Sequence, residues 1–113
     1  MLNLDLKKII NKNILSIILF GSYARGEETK NSDIDLLIIT DKKVDTKKME
    51  DKLKEINLKI SSLIFTKEEF KKKIYEFNHQ LLEIFYWGKV LFEKDKKFLK
   101  LENLYLALYH KKN

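Results

Sequence analysis

A chain of 113 residues with 44% hydrophobic and 35% charged side chains has the make-up of one globular domain with a continuous core, not of a disordered or fibrous chain. It has no cysteine, which excludes a disulfide framework and a thiolate metal site, and no apolar run near the roughly 18–20 residues of a membrane span. The net charge of +6 is almost all lysine, but those lysines alternate with acids, as in KKMEDKLKEINLK, and read as a solvated, ion-paired face rather than a nucleic-acid stripe.

The opening MLNLDLKKII contains an acid and no long apolar stretch, so it does not read as a signal peptide, and the expected location is the cytoplasm. Leu6, Ile9 and Ile10 have helical spacing and predict a short leading helix over 4–10. ILSIILF (14–20) is a near-continuous β-branched and apolar run, the pattern of a strand buried on both faces. Gly21-Ser22 breaks it, one or two helical turns follow over 23–28, and Asn31-Ser32 is turn chemistry. IDLLIIT (34–40) is a second buried strand. After a loop over 41–45, Met49, Leu53 and Ile56 mark one face of a helix. LKISSLIFT (58–66) reads as a third strand.

Thr66 and Glu69 then form a capping box. The helix it opens is expected to run on to Gly88, with Phe70, Ile74, Phe77, Leu81 and Ile84 along one face. Phe85, Tyr86 and Trp87 near its end read as core packing and a turn anchor. KVLFE (89–93) is a short fourth strand, and 96–110 a closing helix. That helix is apolar on two sides: Phe98, Leu101, Tyr105 and Leu108 on one, Leu99, Leu106 and Tyr109 on the other. The order predicts a single α/β (α+β) domain over 1–113, a small mixed sheet of about four strands with helices packed on it. His79 and His110 have no partners at metal-ligand spacing and read as surface histidines.

The chemistry gathers in FGSYARGEETKNSDIDL, which holds the only arginine and two of the three glycines. A strand that ends at Gly-Ser and turns into a helix offers backbone N–H donors, a hydroxyl and a close backbone approach, all suited to phosphate. Asp33 and Asp35, two apart at the start of a strand, point to one face with Cα atoms roughly 7 Å apart. Such a pair repels itself unless a cation lies between, and hard oxygens at this spacing suit Mg²⁺, which takes one or two carboxylates and completes its shell with phosphate and water.

The string GSYARGEETKNSDIDLLI, with Gly21-Ser22, ten residues, then Asp33-Ile-Asp35, resembles the signature of the DNA-polymerase-β-like nucleotidyltransferase superfamily. Its spellings GS-x-ARG and SDIDL are similar to those of the minimal nucleotidyltransferase (MNT) branch, and GKVLFEKD near the end extends the likeness more loosely. The resemblance implies that fold, with Asp33 and Asp35 as catalytic metal ligands, Gly21 and Ser22 on the triphosphate, Mg²⁺ or Mn²⁺ as cofactor and ATP as substrate. Arg25 is a phosphate candidate in the motif; pairing with an acid on the short helix is its alternative role. The resemblance also implies a toxin–antitoxin pair, in which the MNT protein neutralises a helical HEPN-type partner by binding it and by moving AMP to a tyrosine hydroxyl.

The family usually carries a third acid on the next strand. Here KISSLIFT, aligned on Thr66, puts Ser61 in that place, and serine is a poor magnesium ligand and no base. Two readings follow: a protein adenylyltransferase working with Asp33 and Asp35, or a nucleotide-binding antitoxin that acts by binding its partner. A chain this short has no further domain to hold an acceptor, so the acceptor or a separate subunit must supply the grip; a homo-oligomer stays open.

Overall fold

The computed structural model describes residues 2–112. After a single 3₁₀ turn at Leu6–Lys8 come β1 (Ile14–Phe20), α1 (Gly21–Arg25), β2 (Ile34–Thr40), α2 (Thr46–Ile56), β3 (Ile60–Thr66), α3 (Lys67–Tyr75), α4 (His79–Trp87), β4 (Lys89–Glu93) and α5 (Lys97–Lys112). The strands lie in the order β3-β2-β1-β4; β1 is antiparallel to β2 and β4, while β2 and β3 are parallel. The parallel pair needs a crossover, and α2 provides it. This is the mixed α/β sheet expected from the element order.

All of β1 is buried, as its unbroken apolar run requires, and in β2 the only residue that is not fully buried is Asp35. Alternation divides these strands between two cores. Leu15, Ile18, Phe20, Leu37 and Ile39 face Phe70, Ile74, Leu81, Ile84, Phe98, Leu101 and Tyr105, so α3, α4 and α5 cover that side. Ile14, Ile17, Leu19, Leu36 and Ile38 face Ala24, Met49 and Leu53, so α1 and α2 cover the other. On α2 the outward Lys47 pairs with Asp51 at 2.6 Å, the i,i+4 arrangement of a solvated face.

Several expectations change. The leading helix shortens to the 3₁₀ turn, with Leu2, Leu4 and Leu6 lying on the α1–α2 side. The third strand starts at Ile60. The long helix over 67–87 is two helices. The capping box is present, Thr66 N–H donating to Glu69 at 2.8 Å and Glu69 N–H to Thr66 Oγ1 at 3.1 Å. The first helix nevertheless stops at Tyr75, Phe77 takes a left-handed φ of 52°, and Asn78 caps a fresh start by accepting from the Gln80 N–H at 2.9 Å. Of the aromatic run, Phe85 joins the core, 5.0 Å between centroids from Tyr105, whereas Tyr86 and Trp87 are exposed. Phe98, Leu101 and Tyr105 of α5 are buried while Leu99, Leu106 and Tyr109 face outward, so its second apolar side is left uncovered by this chain.

Ser16 is fully buried in β1, and its hydroxyl has no hydrogen-bond partner among the described residues. A buried, unpaired hydroxyl costs about 1–3 kcal/mol. Ser16→Ala is therefore expected to stabilise the fold by about 1 kcal/mol, measured by urea unfolding; a destabilised variant would show that the hydroxyl is satisfied.

Candidate active site

β1 ends where β2 begins. Phe20 is paired with Asp35 across the antiparallel ladder, and on the far side Asp35 is paired with Ser61 of β3. Asp33 and Asp35 share one face because Ile34 between them is buried on the other, 1% exposed. The chain must leave β1 and turn at once into α1. Gly21 does this with a φ of 72°, a left-handed conformation that glycine adopts without strain. A Cβ at Gly21 would collide with the Asp35 carboxylate, so that carboxylate lies directly against the Gly21 backbone. The turn and the acid pair, separated by ten residues in sequence, thus form one place, with Ser22 as the next residue of the turn.

Its electrostatics are unbalanced. The Asp35 carboxyl is pushed above its usual range, first by burial and then by the neighbouring Asp33; Arg25 opposes this and Glu83 adds to it. Neither aspartate has a salt-bridge partner among the described residues. Arg25, the last residue of α1, donates from Nε to Glu27 at 2.9 Å and from Nη1 to Glu83 of α4. One of its two acids is local, but the other, Glu83, lies 58 residues away on an exposed helix edge, where no pattern in the chain singled it out. The uniqueness of Arg25 in a lysine-rich chain was the only available signal.

Ser61 lies beside Asp35 in the β2–β3 register, so no carboxylate of β3 joins the pair at that position. Among the described residues no group of three or more acids and histidines is placed to hold a metal, and His79 and His110 are exposed. Two carboxylates close enough that Asp33 repels the half-buried Asp35 do fit a divalent cation that draws its remaining ligands from phosphate and water. A separate cleft of about 570 Å³, lined by Leu2, Leu19, Tyr23, Glu28, Lys89 and Leu91, includes none of Gly21, Asp33, Asp35 or Ser61. No helix among the described residues is long and apolar enough to cross a membrane.

A mixed sheet whose second strand opens with an acid pair set against a Gly-Ser turn is the frame of a nucleotidyltransferase. The chain belongs to the nucleotidyltransferase-domain family, whose model matches residues 4–98. It is 41% identical over 92 residues to MJ0604 of Methanocaldococcus jannaschii, a proposed protein adenylyltransferase, covering 77% of this chain and 87% of that one. Its fold is similar to a crystal structure of a toxin–antitoxin with AMP-PNP, with TM-score 0.63, 20% identity, and 94% of this chain and 82% of that one covered. It is also similar to a structure of a tri-AMPylated Shewanella oneidensis HEPN toxin in complex with MNT antitoxin, with TM-score 0.52, 15% identity, and 89% and 75% covered. At these identities the two structural likenesses concern the fold alone.

Proposed function

We propose that this protein transfers AMP from ATP to a hydroxyl of a protein partner, as the antitoxin of a HEPN/MNT pair. The observation that carries the reading is the Asp35 carboxylate seated against the Gly21 turn, with Asp33 on the same face, in a chain 41% identical to a proposed protein adenylyltransferase. Asp33 and Asp35 would hold Mg²⁺ or Mn²⁺, which when bound supplies charge neutralisation for the polyphosphate and for the entering and leaving oxygens. Gly21 brings the backbone close to a phosphate, and Ser22 adds a hydroxyl donor. Arg25 sits within Coulomb reach of Asp35 and adds the motif's guanidinium charge. In the transfer the acceptor hydroxyl oxygen bonds to the α-phosphorus and loses its proton to water, while the bond from that phosphorus to the α–β bridging oxygen breaks and pyrophosphate leaves.

ATP labelled in its α-phosphate, incubated with Mg²⁺ and the helical partner, is expected to label a tyrosine of that partner. The doubly substituted Asp33→Ala, Asp35→Ala protein should give no label. Absence of label with the wild type under Mg²⁺ and Mn²⁺ would defeat the reading.

Ser61 beside Asp35 favours a second reading, an antitoxin that binds nucleotide and partner with little turnover. It predicts that the double-alanine protein still neutralises its partner. Ser61→Asp separates the two. If the third carboxylate is what limits the rate, this variant transfers at least about tenfold faster, since each 1.36 kcal/mol off the barrier is tenfold; no gain would show that the wild-type acids suffice.

A further inference from the structure

Arg25 is the only arginine among 23 basic residues. Lysine offers a compact point charge, whereas the planar guanidinium can serve two carboxylates at once in fixed directions. Here it does so, with Nε on Glu27 and Nη1 on Glu83. Glu27 is local, two residues along the chain, but Glu83 belongs to α4. The other ion pairs among the described residues are Lys47–Asp51, within α2, and Lys67–Asp41, between α3 and the loop after β2. Arg25–Glu83 is therefore the pair that joins helix to helix.

What it joins needs holding. α1 has five residues, too few to be stable by itself, because a single helical turn fixes many dihedral angles for very few hydrogen bonds. Its placement must come from tertiary contacts. Ala24 buries one side of it with the α2 core, and Arg25 ties the other side to α4. Gly21 and Ser22 are the first two residues of that same short helix, so whatever fixes α1 also fixes the turn against Asp35. Among the described residues Glu83 is the ion-pair partner of Arg25 from outside its own segment, so the tether from α1 to α4 runs through the Glu83 carboxylate.

We infer that Glu83 is a positioning residue of this site: acting through Arg25, it holds α1, and with it the Gly21–Ser22 turn, in place against Asp33 and Asp35. The inference rests on the nucleotidyl-transfer reading for its functional consequence, but not for the tether itself.

The test compares wild type with Glu83→Gln, Glu83→Asp and Arg25→Lys, each first checked by thermal melting. Glu83 is half-exposed, so the variants are expected to fold. Amide hydrogen exchange reports the tether directly. Gly26 N–H donates to the Ser22 and Tyr23 carbonyls and Glu27 N–H to that of Ser22, and in Glu83→Gln their exchange is expected to quicken about tenfold while the β1 and β2 core amides stay unchanged. The dissociation constant for Mg²⁺–AMP-PNP is expected to weaken about tenfold, as misplacing a binding turn does. Glu83→Asp should recover part of both effects. Glu83→Gln added to Arg25→Lys should weaken binding by much less than the product of the two single effects.

Unchanged α1 exchange in Glu83→Gln, or effects that multiply fully with those of Arg25→Lys, would overturn the inference. Should wild type bind no nucleotide, the transfer reading fails, and the exchange rates still decide whether Glu83 holds α1.

Discussion

Asp35→Asn is expected to lower AMP transfer at least about a thousandfold and, without divalent metal, to make the protein more stable. The loss follows from removing one of two carboxylates on which cation and polyphosphate would be held; about 4 kcal/mol of lost transition-state stabilisation corresponds to that factor. The gain follows from the Asp35 carboxyl titrating above its usual range, through burial first and Asp33 second. Between the ordinary and the raised value the native protein binds more protons than the unfolded chain. Stability therefore falls as pH rises through that window, and the cost persists at neutral pH.

The isosteric amide does not carry that cost. Because Asp35 is only half-buried, screening keeps the gain to about 0.5 kcal/mol, or roughly 2–4 °C in melting temperature. Melting in EDTA at neutral pH and again near pH 3 should show the advantage at the first and its disappearance at the second. A variant less stable than wild type at neutral pH would mean that Asp35 is held by favourable contacts and is not poised for a cation.

Gly21→Ala is the second large effect, and Gly26→Ala is its control. Both glycines have a φ of 72°, so alanine pays the same left-handed penalty at each, about 1–2 kcal/mol. They differ in surroundings: a Cβ at Gly26 has nothing within 4 Å, whereas one at Gly21 overlaps the Asp35 carboxylate. Gly26→Ala should therefore lose only the backbone term and keep its affinity for Mg²⁺–AMP-PNP. In Gly21→Ala either the turn or the carboxylate must move. Its affinity should fall by about a hundredfold, and its stability should drop further than that of Gly26→Ala, by about 1–3 kcal/mol more, in line with overpacking a well-fitted contact. Equal losses in the two variants would show that only backbone conformation matters at Gly21.

Much of this site was legible because its parts are local. The run ILSIILF has one structural solution as a doubly buried strand, a Gly-Ser break must turn the chain, and an Asp-x-Asp at a strand start must put both acids on one face. Ser61 was legible by aligning KISSLIFT on Thr66 with the family's third-acid strand; that it lies beside Asp35 is shown by the β2–β3 register.

What was not legible depends on contacts distant in sequence. Phe70, Ile74, Leu81 and Ile84 keep a helical rhythm across 67–87 because α3 and α4 both pack on the same core, so periodicity alone could not reveal the break between them. The local clue was Asn78, a strong capping residue in the middle of the supposed helix. The left-handed Phe77 before it sits with its ring 6.4 Å from Tyr105, a tertiary contact. Glu83 escaped for the same reason: only the folded chain brings α4 to the end of α1.

Calorimetric titration of AMP-PNP into the protein, with Mg²⁺ and then with EDTA, tests most directly whether the Gly21–Ser22 turn and the two aspartates form one metal–nucleotide site. The expected result is one nucleotide per chain with Mg²⁺, abolished by EDTA and by Asp35→Asn. Equal affinity in Asp35→Asn, or binding indifferent to the metal, would contradict the account.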